Sequence, residues 1–143
     1  MAAPFVGVPW IPRGDAPTGW DCRGCVAYLR RHIFGLESPG MTRDAYTSAD
    51  VRSPERVEEL VLERVGLWRP VNARPGAVIL FQVFGRAAHV GLVLSATDFV
   101  HSFGGQETTI LRLDAPAWGH RVRGFYDTEH DGDHRPGTVH PAR

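Results

Sequence analysis

The spacing of apolar residues changes after residue 20, from no clear period to that of a helix. Residues 1–20 hold Pro and Gly among scattered apolar positions, which predicts an extended arm with turns. A helix is predicted over about residues 22–34, with Asp21 as its N-cap and Gly35 at its end. The apolar residues of this stretch recur at helical spacing: Cys22, Cys25, Val26, Leu29 and Ile33.

The rest of the chain predicts a second helix and then a sheet. Ser53, Pro54 and Glu55 give an N-cap, a first-position proline and an acidic first turn, so this helix is predicted to run to about Val65. Beyond residue 76, short apolar runs alternate with turn residues, which is typical of strands. These runs are AVILFQVF, HVGLVLS, DFVHSF, TTILRL and RVRGFY. The pattern predicts an α+β fold with N-terminal helices packed on a five- to six-stranded antiparallel sheet.

Length and charge narrow the classes of protein to consider. A chain of 143 residues fits one domain, which we place over residues 1–128, while the polar stretch 129–143 is expected to need a partner surface. The formal net charge of +0 gives no reason to expect nucleic acid. All 16 basic residues are Arg, so chemistry that needs a Lys amine is excluded.

Two expectations concern localisation. Pro4, Pro9 and Pro12 interrupt the apolar start, so we expect no secretory signal peptide. No apolar run approaches the roughly 18 residues that a membrane helix requires, so we expect no membrane insertion. A substrate outside the cytoplasm would then require another structure to deliver the protein.

Cys22 is the strongest candidate for chemistry, because it stands in the first turn of the predicted helix. The partial positive charge and the unpaired N–H groups of a helix start favour a thiolate, which is the attacking species. The same N–H groups lie where an oxyanion would develop. We therefore predict that Cys22 is a nucleophile, the alternative being a small apolar residue in the core.

The sequence gives less support to other roles for the two cysteines. Cys25 lies one turn further on beside apolar residues, so we expect it to face the core. A redox pair of Cys22 and Cys25 would be expected in βαβ surroundings, and no strand pattern clearly precedes Cys22. A zinc site would need His89 and His101, which lack the close spacing of usual zinc modules. His32, His120, His130, His134 and His140 show no local pattern and are expected to be solvated.

His89 begins an apolar strand and is the candidate base. Gly91 shares its strand face and would allow the helix that carries Cys22 to pack closely. If the following hairpin pairs residues whose numbers sum to an even value, such as Leu94 with Asp98, then His101 lies on the face of His89. His101 would then orient the His89 ring, which completes the roles of nucleophilic catalysis.

Taken in order, these segments resemble the NlpC family of cell-wall cysteine peptidases, which are papain-like, and in particular short members carried by tailed phages and gene transfer agents. The resemblance covers most of residues 5–127. It rests on Val8-Pro9-Trp10 with Gly14, Gly19-Trp20-Asp21-Cys22-Arg23-Gly24, Arg74-Pro75-Gly76-Ala77-Val78, His89-Val90-Gly91, Phe99-Val100-His101 and Arg123-Gly124-Phe125-Tyr126.

The resemblance implies a function. Cys22 would be the nucleophile, His89 the general base and His101 the orienting residue, with Asp21 holding the helix start. The reaction would be cleavage of a peptidoglycan stem peptide, typically between D-glutamate and diaminopimelate, through an acyl-enzyme and without a metal or cofactor. Trp10 replaces the Tyr that often touches the substrate or assists the oxyanion hole in this family.

The resemblance also implies a setting, and alternatives remain open. The protein would belong to a phage-like tail, contact its hub or tip proteins, and act in the periplasm or cell wall. It would otherwise be a tail-tip assembly or plug protein that keeps the fold with little activity. Acyl transfer to an amine also stays open, because the residues do not say what resolves the acyl-enzyme. Arg23 is near the nucleophile, but an Arg on a helix is usually solvated.

Overall fold

The computed structural model of the chain describes residues 2–41, 67–83 and 85–128. The second predicted helix and the tail 129–143 lie outside these ranges. The arm contains a 3-10 turn at Ala3–Phe5 and a small antiparallel hairpin. The further elements follow in this order: β1 Asp15–Ala16, β2 Gly19–Trp20, α1 Cys22–Phe34, β3 Trp68–Val71, β4 Val78–Val83, β5 Arg86–Val93, β6 Asp98–His101, β7 Thr109–Arg112, α2 Pro116–Gly119 and β8 Val122–Thr128.

Six of these strands form one antiparallel sheet in the order β3-β8-β4-β5-β6-β7. The α+β prediction is confirmed, and each of the five predicted runs contains or overlaps a strand. Strand β5 begins at Arg86, so the prediction that His89 is its first residue is wrong. The sixth strand, β3, was not singled out because it is short and contains Pro70. A proline is tolerated there because β3 is an edge strand that pairs only with β8.

Helix α1 has the predicted bounds. Asp21 has extended backbone angles and its carboxylate accepts a hydrogen bond from the Gly24 N–H, as an N-cap does. Gly35 ends the helix in the left-handed region, with φ of 68°. Both end signals in the sequence are therefore used by the structure.

Gly24 is required by the packing of the hairpin against α1. A Cβ at this position would lie 1.9 Å from the Gly14 carbonyl oxygen, which is backbone and cannot turn aside. The chain just before Asp15 therefore crosses the first turn of α1 at a distance that only glycine permits. This crossing fixes the start of α1 against the arm.

The sheet has an apolar core on each face. Helix α1 covers one face and buries Cys25, Val26 and Leu29 against residues of β4, β5 and β6, among them Val78, Leu80, Val90, Leu92 and Val100. The residues between these point to the other face, where Ile79, Phe81, Val93 and Phe99 form a second cluster beside Trp118 of α2. Among the described elements, no helix is long and apolar enough to cross a membrane.

A network of buried charged side chains joins α1 to strand β8 and to the turn before β4. Arg30 is fully buried and donates to the Gly76 carbonyl, the Asp127 carboxylate and Thr128 Oγ1. Asp127 is 1% exposed and also pairs with Arg74 at 3.0 Å. Burial, together with the Arg74 charge, lowers the pKa of Arg30 to about 10, so Arg30 stays charged at neutral pH.

Candidate active site

Hydrogen bonds from the arm and from Thr108 hold the start of α1 in place. Trp20 is fully buried and its indole Nε1 donates to Thr108 Oγ1 at 2.7 Å. The Asp21 carboxylate accepts from the Gly24 N–H at 2.8 Å and from the Arg13 N–H at 3.1 Å. Cys22 follows these two anchored residues directly, so its position is set from both the arm and the sheet.

The Cys22 sulfur lies against strand β5. The backbone N–H groups of Val90 and Arg23 donate to it, and Val90 is the residue that follows His89. Cys22 is half-buried, whereas Cys25 is fully buried in the core as predicted. The nucleophile candidate and the base candidate are therefore brought to adjacent positions along one strand.

The expectation of a thiolate is wrong for the resting protein. Desolvation by burial and the nearby Asp21 charge raise the pKa of the Cys22 thiol to about 11. The Arg23 charge and the N–H donors of Val90 and Arg23 act in the opposite direction but do not outweigh these causes. Cys22 is thus a neutral thiol at pH 7, and attack requires a base that takes its proton.

The first turn of α1 offers fewer N–H groups than the sequence suggested. The Gly24 N–H is taken by the Asp21 carboxylate and the Cys25 N–H by the Asp21 carbonyl. The Arg23 N–H donates to the sulfur. This leaves the N–H of Cys22 as the donor of this turn for the oxyanion of the predicted reaction.

His89 and His101 form a hydrogen-bonded pair. Strands β5 and β6 pair Leu92 with Val100 and Val93 with Phe99, which is the even register that the sequence argument required. His89 Nε2 and His101 Nδ1 are 2.7 Å apart. The prediction that the two rings share a face is confirmed, while their catalytic roles stay predictions.

The hydrogen bond between the rings determines which nitrogen of His89 is available to accept a proton from Cys22. Because Nε2 of His89 is engaged with His101, Nδ1 of His89 is the nitrogen that can accept a proton from Cys22. Acceptance at Nδ1 requires the tautomer in which His89 Nε2–H donates to His101 Nδ1. His101 must then be neutral, with its own proton on Nε2.

Both imidazoles are held neutral. Burial, together with the neighbouring His101, lowers the pKa of His89 well below its ordinary value. Burial lowers the pKa of His101 to about 4. His89 is therefore unprotonated at neutral pH, as a general base must be, and His101 keeps the lone pair that accepts from it.

An aromatic enclosure surrounds the pair. The Trp118 ring lies 5.3 Å from His89 and 4.7 Å from His101, and the Phe103 ring lies 5.1 Å from His89. Phe81 stacks on His89 at 5.5 Å. Sequence reasoning missed Trp118 and Phe103; Phe103 follows His101 at the spacing of one strand face, which was the available signal.

The interpretation of Gly91 is wrong. Gly91 faces the second core rather than α1, and a Cβ there would meet the Phe81 ring at 3.0 Å and the Phe99 ring at 3.3 Å. His89 shares this face, whereas the Cys22 sulfur approaches β5 from the side of α1. In the part of the chain that the structure describes, no hydrogen bond joins the thiol to His89. If His89 acts as the predicted base, the two side chains must therefore move closer together, as catalytic hydrogen bonds often tighten on substrate binding.

The remaining candidates are placed as follows. Trp10 forms an isolated bridge with Trp20 and lies against Gly104, so it borders the segment that follows His101 at the end of β6. Arg23 is 2% exposed, and the expectation of a solvated side chain is wrong. His32 and His120 are exposed, as expected. His130, His134 and His140 lie outside the described residues.

The described residues provide no feature that supports either alternative for the cysteines, a redox pair or a zinc site. Both thiols are free, and Cys22 follows a two-residue strand of an antiparallel hairpin rather than a βαβ unit. Within residues 2–41, 67–83 and 85–128, His, Cys, Asp and Glu side chains form no group of three that could hold a metal ion.

Comparison with known proteins yields a curated relative and several solved structures. Murein DD-endopeptidase MepH of Escherichia coli K12 is 28% identical over an alignment of 117 residues, and the alignment covers 79% of this chain and 38% of that protein. This chain therefore spans well under half of the relative's length. The model of the NlpC/P60 family matches residues 7–127.

Three solved structures share the fold. The NlpC/P60 domain of the peptidoglycan hydrolase SagA has a TM-score of 0.56 at 17% identity, covering 89% of this chain and 92% of that one. An NLP/P60 family protein of Staphylococcus aureus, similar to a lipoprotein, has a TM-score of 0.60 at 20% identity, covering 91% and 39%. An NlpC/P60 family protein of Bacillus cereus has a TM-score of 0.56 at 22% identity, covering 85% and 35%.

The resemblance inferred from the ordered motifs is thereby confirmed at the level of the family. The match spans the arm, the helix with Cys22 and both strands that carry the histidines. The chain belongs to the NlpC/P60 family.

Proposed function

We propose that this protein is a cysteine peptidase that hydrolyses an amide bond in the stem peptide of peptidoglycan. The observation that carries the proposal is the arrangement around β5: a thiol at a helix start, bonded to the Val90 backbone, beside a neutral His89 that is oriented by His101. Family membership and the murein endopeptidase relative support peptidoglycan as the substrate.

The proposed reaction begins with a neutral thiol and a neutral imidazole. As the Cys22 sulfur attacks the amide carbonyl, its proton passes to His89 Nδ1, and the new imidazolium donates from Nε2 to His101. The N–H of Cys22 donates to the oxyanion. The amine leaves with the proton returned by His89, and a thioester remains on Cys22.

Hydrolysis of this thioester completes the cycle. His89, neutral again, takes a proton from water, which attacks the thioester carbonyl and releases the acid and the Cys22 thiol. An amine in the place of water would give acyl transfer instead. Hydrolysis is the proposal because the relative is an endopeptidase.

Product ends provide the test. Purified peptidoglycan is incubated with the protein or with heat-unfolded protein, and new amino groups and new reducing sugar ends are counted. We expect new amino groups without new reducing ends, in amounts that increase with the folded protein only. New reducing ends, or no new ends at any enzyme concentration, would contradict amide hydrolysis.

Delivery by a phage-like tail is a separate proposal, supported by the resemblance to short members carried by tailed phages and gene transfer agents. Its test is the presence of the protein in purified particles. A particle preparation that lacks the protein would contradict it. The assembly or plug alternative predicts that Cys22→Ala particles assemble and deliver DNA as well as wild-type particles, whereas the peptidase proposal predicts reduced delivery.

A further inference from the structure

Ser102, next to His101 in the chain, has a buried hydroxyl that the proposed reaction has not yet used. The residue is fully buried, and its Oγ is one of the few buried side-chain oxygen or nitrogen atoms, within the described residues, without a hydrogen-bond partner. A buried hydroxyl without a partner is unfavourable, since its hydrogen bonds to water are lost and not replaced. A functional role for the hydroxyl would explain why this unfavourable arrangement is present.

The direction of the Ser102 side chain follows from its neighbours. Phe99, His101 and Phe103 all lie on the face of the second core, because the rings of His101 and Phe103 both contact His89. Side chains alternate between faces along an extended chain, so Ser102 points to the opposite face. Val100 confirms the alternation, since it packs in the core under α1.

The pairing of β5 and β6 places Ser102 opposite Val90. Leu94 donates to the Asp98 carbonyl, and Leu92 pairs with Val100, so the next hydrogen-bonded pair in this register would be Val90 with Ser102. The ladder ends before that pair, and the Val90 N–H donates to the Cys22 sulfur instead. The register therefore places Ser102 opposite the residue whose N–H donates to the Cys22 sulfur.

We propose that Ser102 is a further catalytic residue, whose hydroxyl donates a hydrogen bond to the Cys22 sulfur while the sulfur carries negative charge. A rotation about the Cα–Cβ bond of Ser102 directs the hydroxyl to the sulfur. The hydroxyl then has no partner in the resting protein because its hydrogen bond forms only when His89 removes the thiol proton. The inference deepens the proposed function and rests on it.

The test measures thiol reactivity without peptidoglycan, so it is independent of hydrolysis. Wild type and Ser102→Ala are alkylated with iodoacetamide over a range of pH. Cleavage after Arg23 separates Cys22 and Cys25 into different peptides, so mass spectrometry follows Cys22 alone. We expect Ser102→Ala to react about tenfold more slowly at a fixed pH below the thiol pKa, because a hydrogen bond to a charged group is lost.

Stability provides the second readout and Ser38 the matched control. Ser38 is also a buried serine, but its hydroxyl already accepts from Arg30 at 3.4 Å. We expect Ser102→Ala to keep or raise the melting temperature and Ser38→Ala to lower it without changing Cys22 alkylation. Superimposable pH profiles of alkylation for wild type and Ser102→Ala would overturn the proposal. If alkylation differs while peptidoglycan stays intact with wild type, the proposed substrate fails and the role of Ser102 stands.

Discussion

At the scale of single residues, the hydrogen bond between His89 and His101 gives the two imidazoles different roles in the proposed reaction. His89 Nε2 must carry the shared proton if Nδ1 is to take the thiol proton, so His101 acts only as an acceptor. Its low pKa suits this task, because a protonated His101 would offer no lone pair at Nδ1. In the proposed reaction, the neutral thiol and the neutral imidazole imply that proton transfer accompanies attack.

The acceptor role of His101 can be separated from any role as a base. We expect His101→Ala to lower kcat about a hundredfold, because the His89 ring loses its orienting partner. His101→Gln, whose side-chain carbonyl can accept from Nε2–H, should recover most of that loss. Steady-state rates on a stem peptide provide the measurement, with His120→Ala, an exposed histidine, as the unaffected control. Equal loss in the Ala and Gln variants would contradict the acceptor role.

The same pair makes stability depend on pH. The unfolded imidazoles bind protons near their ordinary pKa of 6.5, whereas the folded ones resist protonation until lower pH. Stability is therefore complete above about pH 6.5 and is lost as the pH falls toward 4. We expect the melting temperature to fall by several degrees between pH 7.5 and pH 5, at about 1.4 kcal/mol per pH unit for each proton taken up. A melting temperature that is constant over this range would contradict buried, neutral histidines.

At the scale of an element, the start of α1 combines two effects of Asp21 that oppose each other for chemistry. The carboxylate caps the helix through the Gly24 N–H and holds the arm through the Arg13 N–H. Its charge also raises the pKa of Cys22. Asp21 thus fixes the position of the helix start at the expense of a less acidic Cys22 thiol.

Two substitutions at Asp21 separate these effects. Asp21→Asn keeps an oxygen acceptor for the cap and removes the charge, so we expect near wild-type stability and severalfold faster Cys22 alkylation at pH 7.5. Asp21→Ala removes the cap as well and should destabilise by about 1–2 kcal/mol. Urea unfolding and alkylation rates provide the measurements. Slower alkylation in a stable Asp21→Asn variant would show that the charge does not suppress the thiolate.

At the scale of the whole molecule, the buried network of Arg30, Asp127 and Arg74 joins α1 to strand β8 and to the turn before β4. It holds the helix that carries Cys22 at a fixed place over the sheet that carries the histidines. None of these contacts is local in the sequence, since Arg30 and Asp127 are 97 residues apart. Nothing in the sequence pattern therefore indicated them.

Removing one partner of this network should have a large effect on folding. We expect Asp127→Ala to destabilise by about 3–5 kcal/mol, because it leaves Arg30 charged, buried and without its carboxylate. Asp114→Ala removes the carboxylate of the exposed pair with Arg112 and should leave stability nearly unchanged, because water screens an exposed ion pair. Free energies of unfolding in urea compare the two. Similar values for both variants would contradict the structural role of the buried network.

The parts of the site that were predictable are those set by local spacing. The cap at Asp21, the bounds of α1 and the shared face of His89 and His101 follow from periodicity and strand parity. The face of Gly91, the burial of Arg23 and the raised pKa of Cys22 depend on how α1 and the sheet pack in three dimensions. Sequence spacing contains no such information, because packing decides desolvation and long-range contacts.

The central claim is that the Cys22 thiol, and not its neighbour Cys25, attacks the substrate. The most direct test compares kcat/KM of wild type, Cys22→Ala and Cys25→Ala on one stem peptide, with melting temperatures to show that each variant is folded. We predict a loss of at least about a thousandfold for Cys22→Ala and a loss below about threefold for folded Cys25→Ala. A folded Cys22→Ala variant that hydrolyses the peptide at the wild-type rate would contradict the claim.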